Sequence, residues 1–456
     1  MLITKLDNVE VNIEDGHKYA ARDIAAGENI IKYGQPIGHA TADIKKGEHV
    51  HTHNVKTNLS DKLEYTYSPA PLNFERVESD LTFEGYLREN GEVGIRNDVW
   101  IVNTVGCVNK IAEKLAQRTG AKHFPHPFGC SQLNEDQAVT QMILRGMVNH
   151  PNAGGVLVLG LGCENNNIDE FKKVLGSWDD KRVKFLNTQD VEDELAAGEK
   201  IIRELQEYAA TFKRQPIPIS KLKVGLKCGG SDGFSGITAN PLVGRFCDRL
   251  TAMGGSCVLT EVPEMFGAEH LLMQRCVDEE TFQKTVKLIN DFKDYFTRHN
   301  QVIYENPSPG NKKGGITTLE EKSLGCVQKG GLSPVVDVLD YGDRVTKNGL
   351  SLLNGPGNDM VAVTNLMAAG AHIILFTTGR GTPLGTGVPT VKIATNRHLA
   401  THKANWIDFD ASPMLEGKDP TEDLLRYVLS VAEGAQTKNE QHGYEEISIF
   451  KDGVTL

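Results

Sequence analysis

Four short strand-like stretches each run into a glycine-containing turn that carries a cysteine. Val99–Val102 leads into Thr104-Val105-Gly106-Cys107, and His123–Phe128 leads into Gly129-Cys130. Val156–Leu159 leads into Gly160-Leu161-Gly162-Cys163-Glu164, and Val224–Leu226 into Cys228-Gly229-Gly230-Ser231-Asp232. Unbroken apolar runs of this length predict strands buried on both faces. Apolar residues recur at helical spacing in Lys110–Ala116, Gln137–Val148, Val191–Phe212 and Asp278–His299. Strands alternating with helices predict an α/β fold with largely parallel sheets.

The N-terminal stretch has a different grammar. Residues 1–68 read as short strands and turns, and Asp23–Ile30 is echoed by Asp43–Val50. Each copy predicts strand, turn at glycine, strand, so a small β-rich domain of two related hairpins is expected. The second copy runs into His51-Thr52-His53-Asn54. In a strand these two histidines would share a face, and the spacing leaves open metal ligation, acid–base work or simple surface exposure. A linker at 69–82, a second α/β domain at 83–215 and a C-terminal α/β domain at 216–456 complete the expected division. Within it, Lys213–Ser220 reads as a connector.

Composition narrows the functions. At 39% hydrophobic and 24% charged, with no apolar run near the roughly 18 residues of a membrane helix, the chain reads as soluble. A net charge of −11 argues against nucleic acid as a partner and leaves a small anionic substrate open. Eight cysteines without a secretory signal point to reduced thiols and a cytoplasmic setting.

The candidate chemistry lies where open α/β sheets place ligands, beyond the carboxyl ends of strands. The loop Thr377–Gly387 holds Thr378, Arg380 and Thr382 among glycines, a composition suited to a carboxylate or phosphate, with Lys392 on the next strand. No P-loop or dinucleotide fingerprint occurs. Arg96 could clamp a carboxylate or form a surface ion pair. Asn358, Asp359, Glu320 and Glu321 have a complete account as helix N-terminal caps. Cys107, Cys130, Cys163 and Cys228 form no CxxC pair, which excludes a zinc ribbon. Cys247, Cys257, Cys276 and Cys326 are expected to pack in the core.

Longer motifs carry a family resemblance over essentially the whole chain. They include Gly16-His17-Lys18-Tyr19-Ala20, Gly47–Asn54, Gly94-Ile95-Arg96-Asn97, Gly160–Glu164, Cys228–Asp232, Gly315–Ser323, Gly355–Asp359 and Thr377–Pro383. The chain resembles the altronate/galactarate dehydratase family, whose N-terminal SAF domain is a β-clip. The stretch Pro127–Gln132 departs from that pattern. The resemblance implies a hydro-lyase acting on a sugar acid, most directly D-altronate to 2-keto-3-deoxy-D-gluconate. Galactarate or another aldonate, a sulfolactate-type C–S lyase, and a non-catalytic sugar-acid binding protein are the alternatives. It also implies Fe2+, with Mn2+ as a substitute; the cysteine count allows an iron–sulfur cluster held by three cysteines as the rival. Expected metal ligands are Cys107, Cys130, Cys163 and Cys228 with His51 or His53. His51, His53, Asp232 and Glu164 are expected in proton transfer. Arg96, Ser231, Asn240, Asn358, Thr378, Arg380, Thr382 and Lys392 are expected around the substrate. A homo-oligomer is compatible with these features.

Overall fold

The computed structural model describes residues 1–60, 63–71 and 74–454. Part of the expected linker, 72–73, therefore lies outside the described residues. The N-terminal domain comprises two three-stranded antiparallel sheets. One orders Val9–Val11, Lys18–Ala20 and His49–Val50; the other orders Asn29–Lys32, Gln35–Ala40 and Val55–Lys56. The two repeat copies do not form separate hairpins. They meet at an Ile24–Ile44 bridge and send their following strands to different sheets, with Gly27 and Gly47 at φ 82° and 85° making the turns. The strand of the second copy stops at Val50, so His51 and His53 lie in a turn and not on one strand face.

The expected connector is a strand. Arg214–Pro218 pairs antiparallel with Thr82–Leu87, which also pairs with Val93–Gly94. Its two prolines are tolerated because it forms the sheet's edge, and only Ile217 along it turns inward.

Two parallel sheets form the body. The first orders Lys122–His123, Asp98–Asn103 (β1), Ala153–Gly160 (β2) and Val183–Asn187. The second has seven strands, with Lys223–Cys228 (β3) and Ile373–Thr378 (β4) adjacent near its centre. Helices Asn134–Val148 and Asp359–Ala368 lie between the sheets, and Trp100, Phe124, Met147, Leu366 and Phe376 share one core there. The two sheets are thus packed into one body.

Topology makes a crevice in each sheet. The connection after β1 leads to the strand on one side, and that after β2 to the strand on the other. The same divergence occurs between β3 and β4. Adjacent strands whose connections diverge leave an opening at their carboxyl ends. Cys107 and Cys163 flank the first opening; Cys228–Asp232 and Thr377–Arg380 flank the second.

Candidate active site

The second opening is built from loops that touch closely. Gly379 lies so near Asp232 that a Cβ there would fall 2.2 Å from its carboxyl carbon. Asp232 is buried and accepts hydrogen bonds from Thr395 (3.0 Å), Ser235 (3.1 Å), Asn396 (3.0 Å) and the Phe234 N–H (3.2 Å). Burial pushes its carboxyl up, partly opposed by those donors. Arg380 N–H donates to Gly230 O at 2.9 Å, while its exposed guanidinium has no hydrogen-bond or ion-pair partner among the described residues. A free guanidinium at a sheet's switch point is a ready carboxylate receptor.

The N-terminal domain closes over this opening. Gly16 O lies against Gly233 and Gly315, where added Cβ atoms would come within 2.0 and 2.7 Å of it. His17, His49 and His51 form a triangle of rings with centroids 5.1–5.5 Å apart, and His53 stacks on His49. His17 Nδ1 and His49 Nε2 are 3.0 Å apart, and His51 Nδ1 lies 2.9 Å from Thr317 Oγ1. Burial and the neighbouring Lys18 ammonium bring His51 down to about 4, so its imidazole is a neutral base at pH 7.

A buried ion triad fixes that cap. Lys18 Nζ reaches Glu321 Oε2 at 2.9 Å and Lys32 Nζ reaches Oε1 at 2.8 Å, all within the interior. Burial raises the Glu321 carboxyl, but the two ammonium groups outweigh it and hold it at about 2. Burial also lowers Lys18 to about 8. The sequence reading of Glu321 as a helix cap missed this role. Its one signal was Lys18, a charge on the inward parity of a strand beside buried Ala20.

The structure separates the expected ligand set. Among the described residues, the sole group of three or more His, Cys, Asp or Glu ligand atoms mutually within 4.8 Å is Cys228, Glu264 and Cys326. Cys107, Cys130 and Cys163 are exposed at the other opening, and His51 sits in the cap. Cys228 and Cys326 lie 3.3 Å apart, so Cys326 does more than pack. Lys329 Nζ is 2.9 Å from Cys228 Sγ and 3.1 Å from Glu261; Lys322 pairs with Glu264 at 2.9 Å. Lys227 pairs with Glu261 and, at 2.9 Å, with Asp359. Two of the three ligand groups thus already have an ammonium neighbour, Lys329 beside Cys228 and Lys322 beside Glu264.

Several other residues expected at the site have partners within the fold. Arg96 is no clamp: its guanidinium is bound by Glu440 (2.8 and 3.1 Å) and by the carbonyls of Ile95, Val431 and Ala435. Lys392 is buried, donates to Leu384 O and lies 5.3 Å from the Phe376 ring centre. Asn358 caps its helix by accepting from Val361 N–H. Asn240 bridges Thr377 Oγ1 (2.6 Å) and Gly325 O (3.0 Å). Thr378 and Thr382 accept from Gly381 and Leu384 N–H, bracing the loop that presents Arg380. Ser231 is buried, its carbonyl taken by Asn311. Glu164 braces its own turn through Thr104 (2.6 Å) and the Leu161 and Gly162 N–H groups.

Comparison with known proteins agrees with this architecture. Residues 4–58 match the altronate/galactarate dehydratase SAF domain, and 85–210 the second domain of D-galactarate dehydratase/altronate hydrolase. Residues 219–455 match the D-galactarate/altronate dehydratase C-terminal domain. The chain is 56% identical over 463 residues to altronate dehydratase of Bacillus subtilis, covering 98% of this chain and 93% of the relative. It is 53% identical over 469 residues to altronate dehydratase of Escherichia coli, covering 99% and 95%. Galactarate dehydratase (L-threo-forming) of Escherichia coli is 34% identical over 479 residues, covering 96% and 90%. With all three domains matched in order and both openings formed by its motifs, the chain belongs to the altronate/galactarate dehydratase family of sugar-acid hydro-lyases.

Proposed function

We propose that the enzyme removes water from D-altronate to give 2-keto-3-deoxy-D-gluconate. The observation that carries this reading is the identity of 56% and 53% to two altronate dehydratases, against 34% to a galactarate dehydratase. The elimination takes the proton α to the carboxylate and expels the β-hydroxyl; the resulting enol becomes the 2-keto acid.

The second opening supplies what the chain's own residues must do. Arg380 holds the carboxylate, whose negative charge grows as the α-proton leaves. His51, neutral because of burial and Lys18, is the base, with His17, His49 and His53 around it. Asp232 positions the Gly379–Arg380 turn. Iron belongs to the same proposal, with manganese as a substitute. When bound, it supplies Lewis-acid polarisation of an oxygen. Cys107, Cys130 and Cys163 offer soft ligands at the first opening, and the residue roles at the second opening do not depend on them. A reducing, cytoplasmic setting is part of the same proposal, supported by eight cysteines that form no disulfide.

The test is an anaerobic assay of D-altronate, galactarate, related aldonates and sulfolactate, with and without ferrous iron, scoring 2-keto acid. Iron-dependent product from altronate at the highest kcat/KM is expected. A preference for galactarate, or sulfite release from sulfolactate in place of dehydration, would overturn the substrate assignment.

A further inference from the structure

Cys228 and Cys326 differ from the other buried cysteines in what surrounds their sulfurs. Their Sγ atoms lie 3.3 Å apart, and both residues are almost fully buried. The Lys329 ammonium donates to Cys228 Sγ at 2.9 Å. Glu264 Oε2 lies 3.1 Å from Cys326 Sγ and 3.3 Å from Cys228 Sγ, so each thiol has a carboxylate within reach of its proton. Cys247 and Cys276 have no such setting: their sulfurs meet the hydroxyls of Ser333 and Thr285 and the Leu272 carbonyl. A neighbouring ammonium is a mark of reactive cysteines, and a cysteine that only packs needs neither charge.

The two sulfurs belong to different elements. Cys228 ends β3, and two residues further on Gly230 O accepts the Arg380 N–H. Cys326 ends the helix Leu319–Cys326, which also carries Glu321, the anchor of the N-terminal domain. Where that domain meets the body lies a small polar cavity, with room for about one water-sized molecule. Cys326 lines it, together with Tyr33, Ser231, Asp232, Glu321 and Lys322. A small oxidant that travels with water thus has a seat beside one sulfur of the pair, whereas a bulky reagent has none.

We propose that Cys228 and Cys326 are a redox modification site, joined as a disulfide by hydrogen peroxide and reopened by a dithiol. One sulfur attacks a peroxide oxygen; the O–O bond breaks, a sulfenic acid forms and one water leaves. The other sulfur attacks the sulfenic sulfur, the S–O bond breaks and a second water leaves. The sulfurs give up two electrons in all, the peroxide accepts them, and both thiol protons end in the waters. A bond of about 2.05 Å needs the sulfurs to close by roughly 1.2 Å. It fastens the anchor helix to the end of β3 and closes a segment spanning 98 positions. A loop of that length constrains the unfolded chain and so stabilises the fold. The assignment is independent of which sugar acid the enzyme takes.

The experiment uses the full wild-type chain. Alkylation of the native protein first blocks the exposed Cys107, Cys130 and Cys163. The protein is then titrated with hydrogen peroxide, denatured and mapped by mass spectrometry without reduction. A cross-linked peptide joining Cys228 to Cys326, two hydrogens lighter than the free thiols, is expected in most molecules. It should form at peroxide levels that leave Cys247 and Cys257, a second buried pair, as thiols, and dithiothreitol should reopen it. Recovery of Cys228 and Cys326 as thiols throughout the titration overturns the proposal. So does equal oxidation of Cys247 and Cys257, or sulfinic acid at either sulfur with no cross-link. A second measurement compares urea unfolding of the oxidised and reduced forms. The oxidised midpoint should be higher by about 0.5 M or more; an unchanged or lower midpoint overturns a bond that fits the native fold.

Discussion

The same local grammar, an apolar parallel strand running into Gly-rich sequence and a cysteine, produces two unlike sites. At the carboxyl end of β3, Cys228 is buried among Lys329, Glu261, Glu264 and Cys326 beneath a docked N-terminal domain. At the ends of β1 and β2, Cys107 and Cys163 face solvent, and among the described residues no ammonium or guanidinium is hydrogen-bonded to either. What differs is the covering. The seven-stranded sheet receives a β-rich cap and a lysine-rich helix-turn segment at 322–329, whereas the four-stranded sheet end receives neither. Strand-end position thus makes a cysteine available for chemistry, and the neighbouring charges decide which chemistry.

The largest way to break this comparison is to remove the cap's anchor. Glu321→Gln leaves two buried ammonium groups without their carboxylate, a loss of about 3–5 kcal/mol. Urea denaturation and proteolysis of the N-terminal domain should both show it. Stability within about 1 kcal/mol of wild type would mean that apolar packing alone holds the cap.

Next in size is Arg380→Ala. Losing one charge-assisted carboxylate contact should lower kcat/KM by on the order of a hundredfold. Because the side chain is exposed and unpaired, unfolding should shift by less than about 0.5 kcal/mol. An unchanged kcat/KM would move substrate recognition away from the β3–β4 opening. Arg96→Ala should do the reverse. It destabilises by about 2–3 kcal/mol, mainly through a Glu440 carboxylate left without its guanidinium, since the Ile95 and Val431 carbonyls keep other donors, with kcat/KM per folded molecule unchanged. A drop in kcat/KM without a stability loss would restore Arg96 as a clamp.

The smallest effect is a pH limb. His51 titrates near 4, so its free base persists well below the usual histidine range. The acid limb of kcat/KM should fall through about 4, and a limb centred near 6.5 would point to another base. Glu321 acts in the same direction on stability. Its pKa is depressed in the fold, so its contribution is complete above the unfolded carboxylate range near 4.3. That contribution is lost as pH falls toward about 2. Unfolding followed at each pH separates the two.

The sequence was readable where local pattern suffices. The buried runs Val99–Val102 and Val156–Leu159 and the helices from Asp278 and Leu319 appear where their patterns predicted them. Contacts between distant segments were not readable. Nothing near Lys18 announces a partner 303 positions later at Glu321. Nothing near Arg96 announces Glu440. His51 and His53 were singled out as strand neighbours, yet ring contacts run through His17 and His49 because the strand ends one residue earlier. Arg380 was singled out because a core strand emptying into a Gly/Thr loop leaves few places for its side chain to go.

The Lys18–Glu321–Lys32 triad has a practical consequence for anyone producing this protein in pieces. A fragment ending before the second domain would carry two lysines made for an interior and turn them outward. A fragment beginning after it would keep a sequestered acid with no counter-ion. Neither piece is a self-sufficient module, and soluble expression of one should depend on supplying the other.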